Sequence, residues 1–148
     1  MRLTDHFTLE EMTFSDYALR HGLDNNPTQA SIESLTRLCK ELLEPARTAL
    51  GNKPIIVDSG YRSFEINKGV GGAELSQHRW GCAADIRVHG MKPREVMEVI
   101  ARAGLKWDQM IDEWGQWLHI SINEDKLKAP RMQTLERRAD GYKKIFIA

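Results

Sequence analysis

Three side chains carry the clearest chemistry in this chain. His78 and Asp85 stand seven residues apart in Ser76-Gln77-His78-Arg79-Trp80-Gly81-Cys82-Ala83-Ala84-Asp85, and His119 lies downstream in Trp117-Leu118-His119-Ile120-Ser121. Two imidazoles and one carboxylate are a ligand set suited to a catalytic zinc, with three protein ligands and a fourth position open to water. The His78–Asp85 spacing is too long for neighbouring turns of one helix and too short for separate domains. A short loop running into a strand would let both reach one ion. Any one such residue in a strand is ordinarily polar surface; the three together, each with small or polar-face neighbours, leave polar surface and a metal site equally open, and spacing alone does not decide between them.

The elements that must position them can be read from alternation. Gly81 reaches backbone conformations closed to other residues, and Ala83 and Ala84 leave space around an ion. From Cys82 to Val88 a strand would put Cys82, Ala84, Ile86 and Val88 on one side and Ala83, Asp85 and Arg87 on the other. In the second segment Leu118, Ile120 and Ile122 share one face, and Trp117, His119 and Ser121 the other. Asp85 and His119 therefore project away from the aliphatic core.

These motifs resemble the zinc-dependent D-alanyl-D-alanine metallopeptidases of bacterial cell walls, a group that includes DD-carboxypeptidases, dipeptidases and phage L-alanyl-D-glutamate endopeptidases. Ser-x-His-x-x-Gly-x-Ala-x-Asp is met by Ser76, His78, Gly81, Ala83 and Asp85, and Trp-x-His by Trp117 and His119. Ser59-Gly60-Tyr61-Arg62-Ser63 is similar to a further element of that family, and Phe7-Thr8-Leu9-Glu10-Glu11-Met12 to the opening of its small phage-type members. The resemblance implies zinc (Zn2+) as cofactor, held by His78, Asp85 and His119. It also implies that Arg62 binds substrate and stabilises the oxyanion, a role a planar guanidinium can fill through paired hydrogen bonds. Ser76 is grouped with Arg62 at the substrate, its hydroxyl anchoring either the loop or the metal's surroundings. Tyr61 reads as packing.

A hydrolase of this type needs a carboxylate to take a proton from water and pass it to the leaving amine. Several family members carry one three residues before the last histidine; here that position is Gln116, which cannot serve. Glu113 is the expected base, brought back to the metal across a tight hairpin, and Asp112, of opposite strand parity, is the alternative.

The remaining chain supplies the frame. Its 148 residues fit one domain, here taken as 1–148, with a core of adequate size. Twenty-one basic and 21 acidic residues balance, which speaks against nucleic acid as a partner. No apolar run is long enough for membrane insertion, and the amino terminus does not read as a signal peptide. Cys39 and Cys82 form no disulfide framework and read as buried filler and as core opposite Asp85.

Thr8-Leu9-Glu10-Glu11 reads as a capping box. Ile32, Leu35, Leu38, Leu42, Leu43, Ala46 and Leu50 recur at helical spacing from Thr28 onward, with Pro45 expected to kink or divide the helix. Ile55-Ile56-Val57 suits a buried strand. Phe64 to Glu74, with Gly69, Gly71 and Gly72, reads as a flexible loop. Pro93 to Ala103 is a second packing helix ended by Gly104. Gln109–Glu113 and Trp117–Ile122 make an antiparallel hairpin, and Lys143–Ile147 a final strand.

The fold expected is α+β: helices on an antiparallel sheet with a zinc-binding groove on its polar face, which the resemblance identifies as the Hedgehog/DD-peptidase type. The function implied is zinc-dependent hydrolysis of a peptide bond in the stem peptide or cross-link of peptidoglycan, by a monomeric phage or prophage endolysin. Such a protein would be made in the cytoplasm and act on the wall after the membrane is breached. The alternative is a non-catalytic, zinc-containing peptidoglycan-binding or phage structural module, which Gln116 favours.

Overall fold

The computed structural model describes residues 1–147. A short amino-terminal ribbon, β1 (Arg2–Thr4) and β2 (Phe7–Thr8), leads into α1 (Leu9–Thr13). The capping box forms as expected: Thr8 Oγ1 accepts from the Glu11 amide, and the Glu11 carboxylate accepts from the Thr8 amide at 2.8 Å. Helix α2 (Asp16–His21) is capped by Ser15 and ends in a left-handed Gly22.

The leucine stripe becomes one continuous helical rod. It comprises α3 (Gln29–Leu38), a π-helical turn (Cys39–Leu43) and α4 (Glu44–Ala49). Pro45 falls in the first turn of α4, and the division expected there appears as the π-helical turn just before it. Proline offers no amide to the carbonyl one turn back and crowds it. The turn before it widens, so the Glu44 amide donates to the Cys39 carbonyl five residues behind. Leu35, Leu38, Cys39, Leu42, Leu43 and Ala46 stay fully buried through the change.

Six strands form the main sheet: β3 (Ile55–Ser59), β4 (Ala83–Val88), β5 (Gln109–Glu113), β6 (Trp117–Ser121), β7 (Gln133–Arg138) and β8 (Gly141–Lys144). Their spatial order is β3-β4-β6-β5-β7-β8. The fold is α+β, but the sheet is mixed rather than antiparallel: β7 runs parallel to β5, because the chain from β6 returns across the end of the sheet before β7 begins. The final strand is Gly141–Lys144, set by the turn that pairs Arg138 with Gly141, so Ile145–Ile147 lies beyond it.

Two further elements connect the frame to the site. Phe64–Gly69 is a helix, α5, rather than loop, because Ser63 caps it by accepting from the Ile66 amide. A 3₁₀ turn (Gln77–Trp80) then precedes β4, and α6 (Pro93–Arg102) follows it with Val96, Met97 and Ile100 buried. Ala84, Ile86, Val88, Met110, Leu118 and Ile120 face the helices and form one core with their leucines. Burying each of the larger of these side chains contributes about 1.5–3 kcal/mol. The opposite sheet face is left to form a groove of about 860 Å³.

Candidate metal centre

Sheet register writes the site. In-register neighbours put their side chains on the same face, and alternate residues along a strand return to it. One cross-strand row runs Asp85–His119–Ile111–Leu135–Lys144. The next row on that face runs Trp117–Glu113–Arg137–Tyr142. Asp85 and His119 are thus direct neighbours, and Glu113 sits one strand over and two residues along from His119, roughly 8 Å away by strand spacing.

His78 joins them from the 3₁₀ turn. That turn is closed by Gly81 at φ +75°, where a Cβ would stand 2.6 Å from the Ser31 carbonyl oxygen, so only glycine fits against α3. The Ser76 hydroxyl caps the turn by accepting from the His78 amide at 3.3 Å. Gly60 is held against α1, where a Cβ would meet the Met12 carbonyl oxygen at 2.3 Å, and its own carbonyl accepts from His78 Nδ1 at 2.7 Å. With Nδ1 donating there, Nε2 is left as the ligand nitrogen, an outer hydrogen bond that commonly fixes a metal-binding imidazole. The Arg62 amide donates to the His78 carbonyl at 3.0 Å, which ties the Ser59–Ser63 segment to the same turn.

His78 (2% exposed), Asp85 (8%) and His119 (8%) come together with candidate ligand atoms all within 4.8 Å of one another. Asp85 Oδ1 lies 3.3 Å from His78 Nε2 and 3.2 Å from His119 Nδ1. The two rings meet edge to face at 5.1 Å between centroids. These separations exceed the ~2.7–2.9 Å of a good charge-assisted hydrogen bond. The three atoms converge on a common point instead of pairing tightly, and two nitrogens with one carboxylate oxygen are the donor set a divalent zinc takes. The residues fit the ion.

Electrostatics agree. Burial pushes the His78 imidazole down from its usual value, favouring the neutral form that can bind metal. Burial alone would push Asp85 up, but the adjoining His78 and a hydrogen bond from His119 hold it well below the carboxylate range. Glu113 moves the other way, raised by burial and then by the Asp85 charge.

Arg62 stands beside this cluster. Its Nη2 donates to Asp85 Oδ2 at 3.2 Å, Nη1 to Asn67 at 3.2 Å and Nε to Ser59 at 3.1 Å. The guanidinium is therefore locked in place with N–H donors to spare. Asp112 faces away from the groove, where its carboxylate takes Arg138 and the Gly115 amide. Gln116 shares a small cavity with Ile86, Val96 and Leu118 on the helical side, so it does not occupy a position facing the metal residues. Cys82 packs in the core on the side opposite Asp85, and burial pushes the Cys39 thiol up to about 12, which keeps it inert.

Sequence reasoning missed a support beneath His78. Gln77 Nε2 donates to Asp108 Oδ2 at 2.9 Å and to the Ile122 carbonyl at 3.0 Å, and Asp108 also takes the Arg131 guanidinium at 2.8 Å. Asp108 and Arg131 are 23 residues apart with no recognisable spacing, so no local signal announces the pair. The carboxy-terminal contribution to the groove, Leu135, Arg137 and Tyr142, was missed with β7.

The fold and the clustered ligands define a domain built around a metal site. Residues 5–121 match the Peptidase M15 family, and the chain belongs to it. A stretch of 44 residues is 50% identical to the "Zinc D-Ala-D-Ala carboxypeptidase" of Streptomyces albus G; it is 30% of this chain and 17% of that protein. The match thus spans less than a fifth of that relative's length.

Proposed function

We propose that the chain is a zinc-dependent peptidase cutting a peptide bond in the stem peptide or cross-link of bacterial peptidoglycan. The observation that carries this reading is the pair of adjacent rows on the groove face: Asp85 and His119, with His78, in one, and Glu113 in the next. His78 Nε2, Asp85 and His119 Nδ1 would hold the ion. When bound, zinc supplies Lewis acidity, polarising an oxygen ligand so that water ionises near neutral pH.

The chain's own groups divide the remaining work. Glu113, in its partly buried setting and with its proton affinity raised, accepts the proton of the attacking water on a carboxylate oxygen and hands it to the departing amine nitrogen. Arg62 balances the Asp85 charge and directs spare N–H donors at the oxygen that becomes negative as the carbonyl is attacked. Ser76 keeps the His78 turn closed while lining the groove. With Gln116 on the other side of the sheet, the feature that favoured a non-catalytic module loses its force.

The finer reading is a phage or prophage endolysin, a monomer acting as one catalytic domain on the wall once the membrane has been breached. The phage-type resemblance of Phe7–Met12 supports it, as does the run from Glu113 to Trp117 and His119, which resembles the arrangement in the small phage-type members. The test is digestion of purified peptidoglycan by the zinc-loaded wild type and Glu113→Gln, with fragments identified by mass. New peptide termini from the wild type alone support the reading. No release by folded, zinc-loaded wild type contradicts it.

A further inference from the structure

The second row on the groove face continues past Glu113 onto the β7–β8 hairpin, beyond the residues that match the family. Arg137 lies directly across from Glu113 on one side and Tyr142 on the other. Its guanidinium carbon sits 4.6 Å from the Tyr142 ring centroid and 5.7 Å from that of Trp114. Among the described residues its guanidinium makes no ion pair and donates no hydrogen bond, although Arg138 pairs with Asp112 and Arg131 with Asp108. Glu113 is its register partner yet forms no ion pair with it. Arginine over aromatic faces keeps its planar N–H edge available while the rings hold it still.

Trp114 is placed there against its own backbone preference. It adopts φ +62° and Gly115 φ +68°, with the Gln116 amide donating to the Glu113 carbonyl at 3.0 Å. Both central residues of this tight turn are left-handed, which disfavours a bulky side chain at the first. The Trp114 amide is fixed by the Arg137 carbonyl at 3.0 Å, and Asp112 accepts from the Gly115 amide at 3.0 Å. Held this way, Trp114 (42% exposed) and Tyr142 (56%) flank a cation in the wall of the groove with their rings open to solvent.

We infer that Arg137, flanked by Trp114 and Tyr142, forms a specificity subsite for a carboxylate of the bound peptide, set apart from the bond being cut. Two strand spacings and two residues separate the Arg137 backbone from that of His119, roughly 12 Å. An extended peptide covers that distance in about three residues. The ligand is therefore an acidic peptide whose free carboxylate lies about three residues from the scissile bond. The inference rests on the peptidase reading for the identity of the peptide.

The experiment uses two synthetic stem peptides that differ only in whether that carboxylate is free or amidated. Affinities are measured by titration calorimetry on zinc-loaded Glu113→Gln, which keeps the peptides intact, and on the same protein with Arg137→Gln added. The acid binds about tenfold to a hundredfold more tightly than the amide. Adding Arg137→Gln removes that preference and leaves amide affinity unchanged, while Arg137→Lys keeps part of it. Equal affinities in the Glu113→Gln protein, as a purely aromatic platform would give, overturn the inference. So does a preference that survives Arg137→Gln, or no binding of either peptide. Hydrolysis of the same peptides by wild type is scored separately: failure to cut with the preference intact sinks the peptidase reading and not the subsite.

Discussion

The two ends of the groove floor are built on opposite principles. At the β4–β6 end, the metal cluster is held by other protein groups: His78 by Gly60, Asp85 by His119 and Arg62, and the turn beneath by Gln77 and Asp108. At the β7–β8 end the Arg137 guanidinium rests on two exposed rings and, among the described residues, has no polar partner. An ion of fixed size and charge is best served by ligands that cannot move. A peptide that arrives and leaves is better served by a group whose hydrogen bonds are still to be made. Under the proposed function, the difference gives the buried end the chemistry and the exposed end the choice of substrate.

Removing Asp85 attacks the buried end most directly. Asp85→Ala leaves two imidazoles and the Arg62 cation facing one another without their carboxylate, and stem-peptide hydrolysis falls by more than about a thousandfold. In the wild type, zinc at about 100 times its Kd adds about 2.7 kcal/mol of stability; the variant gains none, as paired thermal melts will show. Next in size is Glu113→Gln, which lowers kcat by about 10²–10⁴ while zinc stays bound. Activity within threefold of wild type would move the base elsewhere, with Asp112 excluded by its pairing to Arg138.

Asp108→Ala separates support from chemistry. It takes an acceptor from the buried Gln77 amide, at a cost of about 1–3 kcal/mol, while the half-exposed Arg131 guanidinium turns to solvent. Urea titration reads the loss; a change under about 1 kcal/mol would make the network decorative.

The smallest effect is a pH dependence. Glu113 holds its proton more tightly folded than unfolded, so stability declines as pH rises from the ordinary glutamate range through the raised folded value, and is level above it. Asp85 works in the opposite sense: depressed when folded, it adds stability that is present above the ordinary carboxylate range and lost as pH falls through its folded value. Comparing metal-free wild type with Glu113→Gln isolates the first. The variant melts about 1–3 °C higher at neutral pH and not at pH 4. A gain of the same size at both would show that the carboxylate's charge is not its source.

The same two ends explain what could be read from the chain. Asp85 and His119 were placed because strict alternation with Ala84, Ile86, Leu118 and Ile120 assigns them a face, and alternation is local. Glu113 followed from its place before Trp117 and His119 across a tight hairpin, with parity used only to rank Asp112 second. Strand β7 was not legible: Gln133-Thr-Leu-Glu-Arg-Arg138 is half-buried throughout with no apolar alternation, and its parallel partner β5 lies more than twenty residues back. Helix α5 left a usable signal in Ser63, outweighed by the glycines that follow. Pro45 marked a disturbance correctly, but a widened turn absorbs it, because the leucines on either side gain more from staying buried than a break would release.

Metal content tests the division most directly. Wild type, Asp85→Ala, Glu113→Gln and Arg137→Gln would be dialysed against zinc and then buffer, and zinc per chain measured by elemental analysis. The account predicts one ion per chain in wild type, Glu113→Gln and Arg137→Gln, and none in Asp85→Ala. Zinc retained by Asp85→Ala, or lost from the other two variants, would contradict it.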